Sequence, residues 1–238
     1  MLLSTEDHER IRLAVDAAET RTSGEIVCVV ARECSEYWEV PLVWAIAAAL
    51  IAPIAGLLIG LRPDVIAALK GDWAATLGSA WIAANAGGTE AAVNHALIAY
   101  AVLQAALFVI VALAVTIPAV RRALTPRALK RERVHRRALE QFAARAYHLT
   151  KDDTGVLIFA SLAERQALVI ADDGVASKVG PDAWPKVVDA LVSGMKAKDP
   201  GGGFARAIEA AADILAAHCP RNPGDTSQLP DTVIELDL

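Results

Sequence analysis

Asp172 and Asp173 are the carboxylate pair best placed for chemistry in this sequence of 238 residues. They leave the end of the run QALVIA, and strand ends are where α/β proteins often bind ligands. Their oxygens suit a hard divalent cation, although Asp173-Gly174 also has the composition of a plain turn. Glu164 and Arg165 sit between two strand-like runs, as a charge pair at a hairpin tip. His148 with Asp152 and Asp153 offers nitrogen and oxygen ligands, or a solvated helix end. Gly201 to Gly203 reads as a linker, because no Lys and Ser/Thr follow at phosphate-loop spacing. No GxxxxGK, GxSxG, HExxH, DxDxT or CxxxxxR pattern occurs, which removes the commonest hydrolase and nucleotide-binding signatures. The five histidines are dispersed. The three cysteines Cys28, Cys34 and Cys219 form no CxxC pair, so reduced cytosolic thiols are expected rather than a disulfide framework.

The elements that must position these residues fall on both sides of an apolar middle. Ser4 and Thr5, followed by Glu6 and Asp7, mark a helix start. Ile11, Ala14, Val15 and Ala18 give that helix an apolar stripe. EIVCVVA, Glu25–Ala31, is a β-branched run expected to be a buried strand. One helix and one strand cannot bury a core alone, so their partners must lie further along. A basic helix is expected over 123–149, with an apolar face of Leu139, Phe142, Ala146 and Leu149. Two further strands follow at GVLIFAS and QALVIA. Gly180-Pro181-Asp182 then opens a helix faced by Trp184, Val187, Val188, Leu191, Val192 and Met195. A last helix is expected over 204–218, and the remainder reads as extended coil. Val27 and Val29 should pair with GVLIFAS in one sheet.

The middle is different in kind. Hydrophobic residues make up 55% of the chain, above the roughly 45–50% of soluble domains, and the excess lies between Val40 and Val120. Residues 40–61 are uncharged and long enough to cross a bilayer of about 30 Å, with Pro53 inside and Trp44 near one end as an aromatic anchor. A second span is expected over 96–120, with Tyr100 near its start, Gln104 within it and Pro118 at its end. Between them Ile66, Leu69, Trp73, Leu77 and Trp81 recur at helical spacing, as in an amphipathic helix lying at the interface. A third span over 73–89 is the alternative, and would place the flanks on opposite sides of the bilayer. Eight Lys or Arg follow Val120 within residues 121–137. By the positive-inside rule they stay cytoplasmic, so two spans put both termini there, in the cell's inner membrane. Arg121, Arg122, Arg127, Lys130 and Arg131 are also suited to anionic lipid. Without interleaved aromatics, and with a net charge of −5, the block gives no support to nucleic-acid binding.

The expected organisation is therefore a small α/β sandwich, a central sheet flanked by helices, interrupted by a two-helix transmembrane hairpin. Residues 1–36 hold its first helix and strand, 37–120 the hairpin with the interfacial helix, 121–220 the basic helix and the rest of the domain, and 221–238 an extended tail. TGVLIFASLAERQALVIADDGVASKVGPDAWPKVVDAL resembles the TPM domain, TSGEIVCVVAREC its first strand, and QLPDTVIEL the tail of a bacterial branch with an internal hydrophobic hairpin. The resemblance covers about two-thirds of the chain. It implies either a membrane-tethered binding or assembly module with a protein partner, or an acid-phosphatase-like hydrolase dependent on a divalent cation such as Ca or Mn. Active members have an Asp-Asp-Arg turn after the second strand and Gly-Tyr-Gly after the third. Here these positions read Ala163-Glu164-Arg165 and Asp172-Asp173-Gly174, so the resemblance implies Glu164, Asp172 and Asp173 as metal ligands.

Overall fold

The computed structural model of the chain describes residues 2–58, 90–149, 154–221 and 233–237. The expected interfacial helix over 66–81, the alternative span over 73–89, Asp152 and Asp153, and the tail over 222–232 lie outside the described residues, as do the side chains of Tyr100, Ala146, His148 and Leu149. The chain divides into two compact units, Met1–Glu36 with Pro126–Leu238, and Tyr37–Thr125.

The first unit is built on helix α1 (Thr5–Glu19) and strand β1 (Glu25–Ala31). The Ser4 hydroxyl accepts the Asp7 N–H, and the Asp7 carboxylate accepts the Ser4 N–H, so the helix starts where the sequence places it. After the apolar segment come α5 (Arg127–Leu149), β2 (Gly155–Ser161) and β3 (Gln166–Ala171). A single-turn helix α6 (Asp173–Ala176), a 3₁₀ turn (Pro181–Ala183), α7 (Pro185–Lys196), α8 (Pro200–His218) and β4 (Ile234–Leu236) complete it. The sheet order is β3-β2-β1-β4. β1 and β2 are parallel, with Val27 opposite Leu157 and Val29 opposite Phe159. β2 and β3 form an antiparallel hairpin, and β4 lies parallel to β1. The tail, expected as coil, thus supplies the strand that covers the open edge of β1.

Alternation along β1 and β2 sends side chains to two cores. Ile26, Cys28, Val30, Val156 and Ile158 meet residues of α1, α7 and α8, among them Ile11, Leu191 and Phe204. Val27, Val29, Leu157 and Phe159 meet Val134 and Ala138 of α5. The result is a mixed α/β unit with a four-stranded sheet flanked by helices. The expected start of the last helix at residue 204 is corrected. Asp199 accepts the Gly202 N–H at 3.0 Å and Pro200 takes the first helical position, so the three glycines form the first turn and not a linker. They are there for contact between helices: a Cβ on Gly194 of α7 would stand 2.2 Å from the Gly203 Cα.

The second unit holds α2 (Glu39–Leu58), α3 (Glu90–Thr116) and α4 (Pro118–Leu124). Pro53 lies inside α2 and cannot donate to the carbonyl four residues back, that of Ala49. The Gln104 amide of α3 reaches that carbonyl in a long hydrogen bond of 3.4 Å. The α2–α3 packing buries Ala45, Ala49 and Pro53, spaced by four, while Leu50, Ile51, Ile54, Leu58, Val109, Ile110 and Leu113 are exposed. The helix at the second expected span runs over Glu90–Thr116. Pro118 forces Ile117 into an extended conformation (φ −61°, ψ 122°), and α4 departs from the preceding helix at 99°. The Trp44 indole donates to the Leu124 carbonyl at 3.3 Å, so the beginning of α2 and the end of α4 meet. Glu39–Gly56 is long and apolar enough to cross a membrane, and Ala101–Thr116 with Pro118–Leu124 form a bent pair that passes the same test together.

Candidate functional site

The β2–β3 hairpin positions the carboxylates, and it sends them to opposite ends. Glu164 belongs to the turn after β2, whereas the Asp172 N–H donates to the Gly155 carbonyl beside the start of β2. The six residues of β3 separate them, roughly 20 Å at strand rise. One cation cannot be ligated by Glu164, Asp172 and Asp173 together. Asp172 is the N-cap of α6, its carboxylate accepting the Asp173 N–H at 2.8 Å. Asp173 is exposed in the first turn of that helix. Among the described residues no group of three or more His, Cys, Asp and Glu is placed to hold a metal ion.

Glu164 is only 8% exposed. Its Oε1 accepts the Cys34 N–H at 3.3 Å, and its Oε2 accepts the Ser161 hydroxyl. The carboxylate therefore ties the hairpin tip to the segment leaving β1. Both oxygens already have protein donors, and four cations stand close by in the groove described below, so the residues present do not fit a divalent cation. Nor is the Ser161–Glu164 pair open to a substrate, because Ser161 is fully buried. Burial pushes the Cys34 thiol up to about 11; the Glu164 charge adds to this and a Ser161 hydrogen bond opposes it. Burial alone pushes Cys28 up to about 12. Neither cysteine is a thiolate at neutral pH, so neither has the form required of a nucleophile.

A groove of about 830 Å³ lies beside this buried carboxylate. Arg127, Lys130, Arg131 and His135 of α5 line one side, and Arg165 and Gln166 of the hairpin line the other. Ala167, Leu168 and Val192 give it an apolar part. Arg165 holds a positive φ of 53°, a conformation that costs a residue with a Cβ about 1–2 kcal/mol relative to right-handed backbone. Reading the sequence found the basic run on α5 but not its completion by Arg165, and gave no site role to His135, Gln166, Cys34 or Ser161. Arg131 and Arg165 lie far apart in the chain, and only the hairpin fold brings them together.

The arrangement has counterparts. The structure of the BA42 protein from the psychrophilic Bizionia argentinensis, solved by NMR, is similar with a TM-score of 0.53 over 98% of this chain and 94% of that one. At 18% identity the likeness is one of fold. No curated protein matches the chain. A family model described as the TPM domain matches residues 86–214, more than half of the sequence. The matched segment carries β2, β3, α7 and most of α8, which pack around β1 from before the apolar middle. By sequence match and by sheet architecture, the chain belongs to the TPM domain family.

Proposed function

We propose that this TPM-domain protein is integral to the inner membrane, anchored by a hairpin of α2 and α3, and that its α/β unit acts at the cytoplasmic face as a non-enzymatic binding or assembly module. The carrying observation is the apolar exterior of the hairpin: Ala45 and Ala49 are buried, while Leu50, Ile51, Ile54, Val109, Ile110 and Leu113 face outward. Water would penalise so large an apolar exterior, while lipid favours it. The Gln104 bond to the carbonyl freed by Pro53 supports the same reading, because a bilayer offers no water to that group. The meeting of Trp44 with Leu124 supports a common side for the two ends, and the Arg-rich exit supports a cytoplasmic one.

The non-enzymatic part rests on the engaged Glu164, the enclosed Ser161 and the protonated thiols. Two measurements test it. Single cysteines placed at exposed Glu9 and Glu209 should both be blocked from impermeant maleimide in right-side-out vesicles and both react after lysis; labelling before lysis overturns the topology. The purified full chain should show no phosphomonoester hydrolysis with calcium or manganese. Metal-dependent activity that disappears in the Asp172→Asn, Asp173→Asn double variant would establish the hydrolase instead.

A further inference from the structure

The groove between α5 and the hairpin tip has more cationic character than an ordinary solvated helix face requires. Arg127, Lys130, Arg131 and Arg165 carry four positive charges into a concavity whose one lining carboxylate, Glu164, already accepts two hydrogen bonds. Arg127, Arg131 and Arg165 make no ion pair among the described residues. By contrast Arg136, Arg137, Arg206 and Arg21 each have a carboxylate within 4 Å. Guanidinium groups gathered around a concave space match the geometry of a phosphate, which they bind in pairs of parallel hydrogen bonds.

Two further features select the source of the phosphate. The groove is amphipathic: Leu168, Ala167 and Val192 contribute apolar surface next to the cations, where a soluble anion would need only polar donors. Arg127 also follows Leu124 by three residues, a stretch of at most about 11 Å of chain. Leu124 ends α4, which leaves the long apolar helix at 99° and carries Arg121 and Arg122 beside Val120 and Leu124, the composition of a helix lying at a membrane surface.

We infer that the groove formed by Arg127, Lys130, Arg131 and Arg165 is a binding site for the phosphate of an anionic glycerophospholipid, with Leu168 and Val192 against the glycerol and the first acyl carbons. The inference rests on the membrane anchorage proposed above. The site holds a lipid without cleaving it, and so fixes the α/β unit on the leaflet from which α5 emerges.

Isothermal titration of dioctanoyl phosphatidic acid into the full chain in maltoside micelles tests this, with dioctanoyl phosphatidylcholine and inorganic phosphate as comparison ligands. Saturable binding of the phosphatidic acid is expected, at least tenfold tighter than either comparison ligand. The Arg127→Gln, Arg131→Gln, Arg165→Gln variant should weaken it at least tenfold. The Arg21→Gln, Arg136→Gln, Arg206→Gln variant, equal in charge change but outside the groove, should weaken it less than twofold. Equal weakening by the two variants, absence of saturation, or equal affinity for inorganic phosphate overturns the lipid site. Alkaline carbonate extraction of the native membrane reports on the anchorage separately: release of the chain with lipid binding retained would sink the anchorage and leave the groove standing.

Discussion

The two units of this chain solve the packing problem in opposite senses. In the α/β unit Phe159, Phe204 and Leu191 are inside, and Phe159 is completely enclosed. In the helical hairpin Ala45 is completely enclosed, while Ile51 is 64% exposed. A soluble core gains from large side chains because water is excluded from their area. Between helices in lipid no such gain exists, so close backbone approach through small residues decides the contact. On the proposed membrane anchorage, the same amino acids change meaning with the solvent.

Substitutions of opposite sense sharpen this contrast. Phe159→Ala should destabilise the α/β unit by about 3–5 kcal/mol, read as a lowered urea midpoint, whereas Ile51→Ala on the hairpin should leave stability in a lipid bilayer nearly unchanged. Equal losses would break the contrast. The reverse change, Ala49→Leu, should cost about 1–3 kcal/mol by overpacking, measured by SDS titration of the full chain in bicelles. Gln104→Leu removes the donor to the Ala49 carbonyl and should cost about 0.6–1.7 kcal/mol in the same assay; a stabilised variant would mean that the bond does not form in lipid. Arg165→Gly should leave the α/β unit as stable or raise it by up to about 1 kcal/mol, because glycine accepts positive φ freely.

The smallest effect concerns pH and lies in the α/β unit alone. Burial tends to raise the Glu235 carboxyl, but the N–H groups of Leu2 and Leu3 and the His8 ring hold it below the usual carboxylate range. A depressed folded value means that the contribution is present above the unfolded carboxylate range, near pH 4.3, and is lost as pH falls through the folded value. Stability of the wild type should therefore fall more steeply on acidification below pH 5 than that of Glu235→Gln. Parallel curves would remove Glu235 from the account.

Much of the fold is legible in the residues because β1, β2 and β3 are short apolar runs with β-branched residues and α1 carries its own start signal. Ser4 caps as expected, and the pairing of Val27 and Val29 with Leu157 and Phe159 follows from two buried runs needing one sheet. β4 is not legible, since three residues carry too little pattern and their role comes from the unfilled edge of β1. The start of α8 is hidden because three glycines resemble a linker until Gly203 is seen against Gly194. The site is the least legible part. The TPM resemblance implied Glu164, Asp172 and Asp173 as ligands of one cation, but β3 extends Glu164 away from the other two. Of the contacts that Glu164 makes, the one with Cys34 joins residues 130 positions apart.

β1 is the second strand from one edge of the sheet, yet roughly 120 residues separate it from β2, and a ribosome needs about 6–25 seconds to add that many at 5–20 residues per second. During that interval the nascent β1 has neither lateral neighbour, and the sheet cannot assemble until everything between has left the tunnel. Completion of the α/β unit is thereby timed to follow synthesis of both apolar helices, so a chain whose middle goes astray leaves an unmatched strand for the cell's quality control to find.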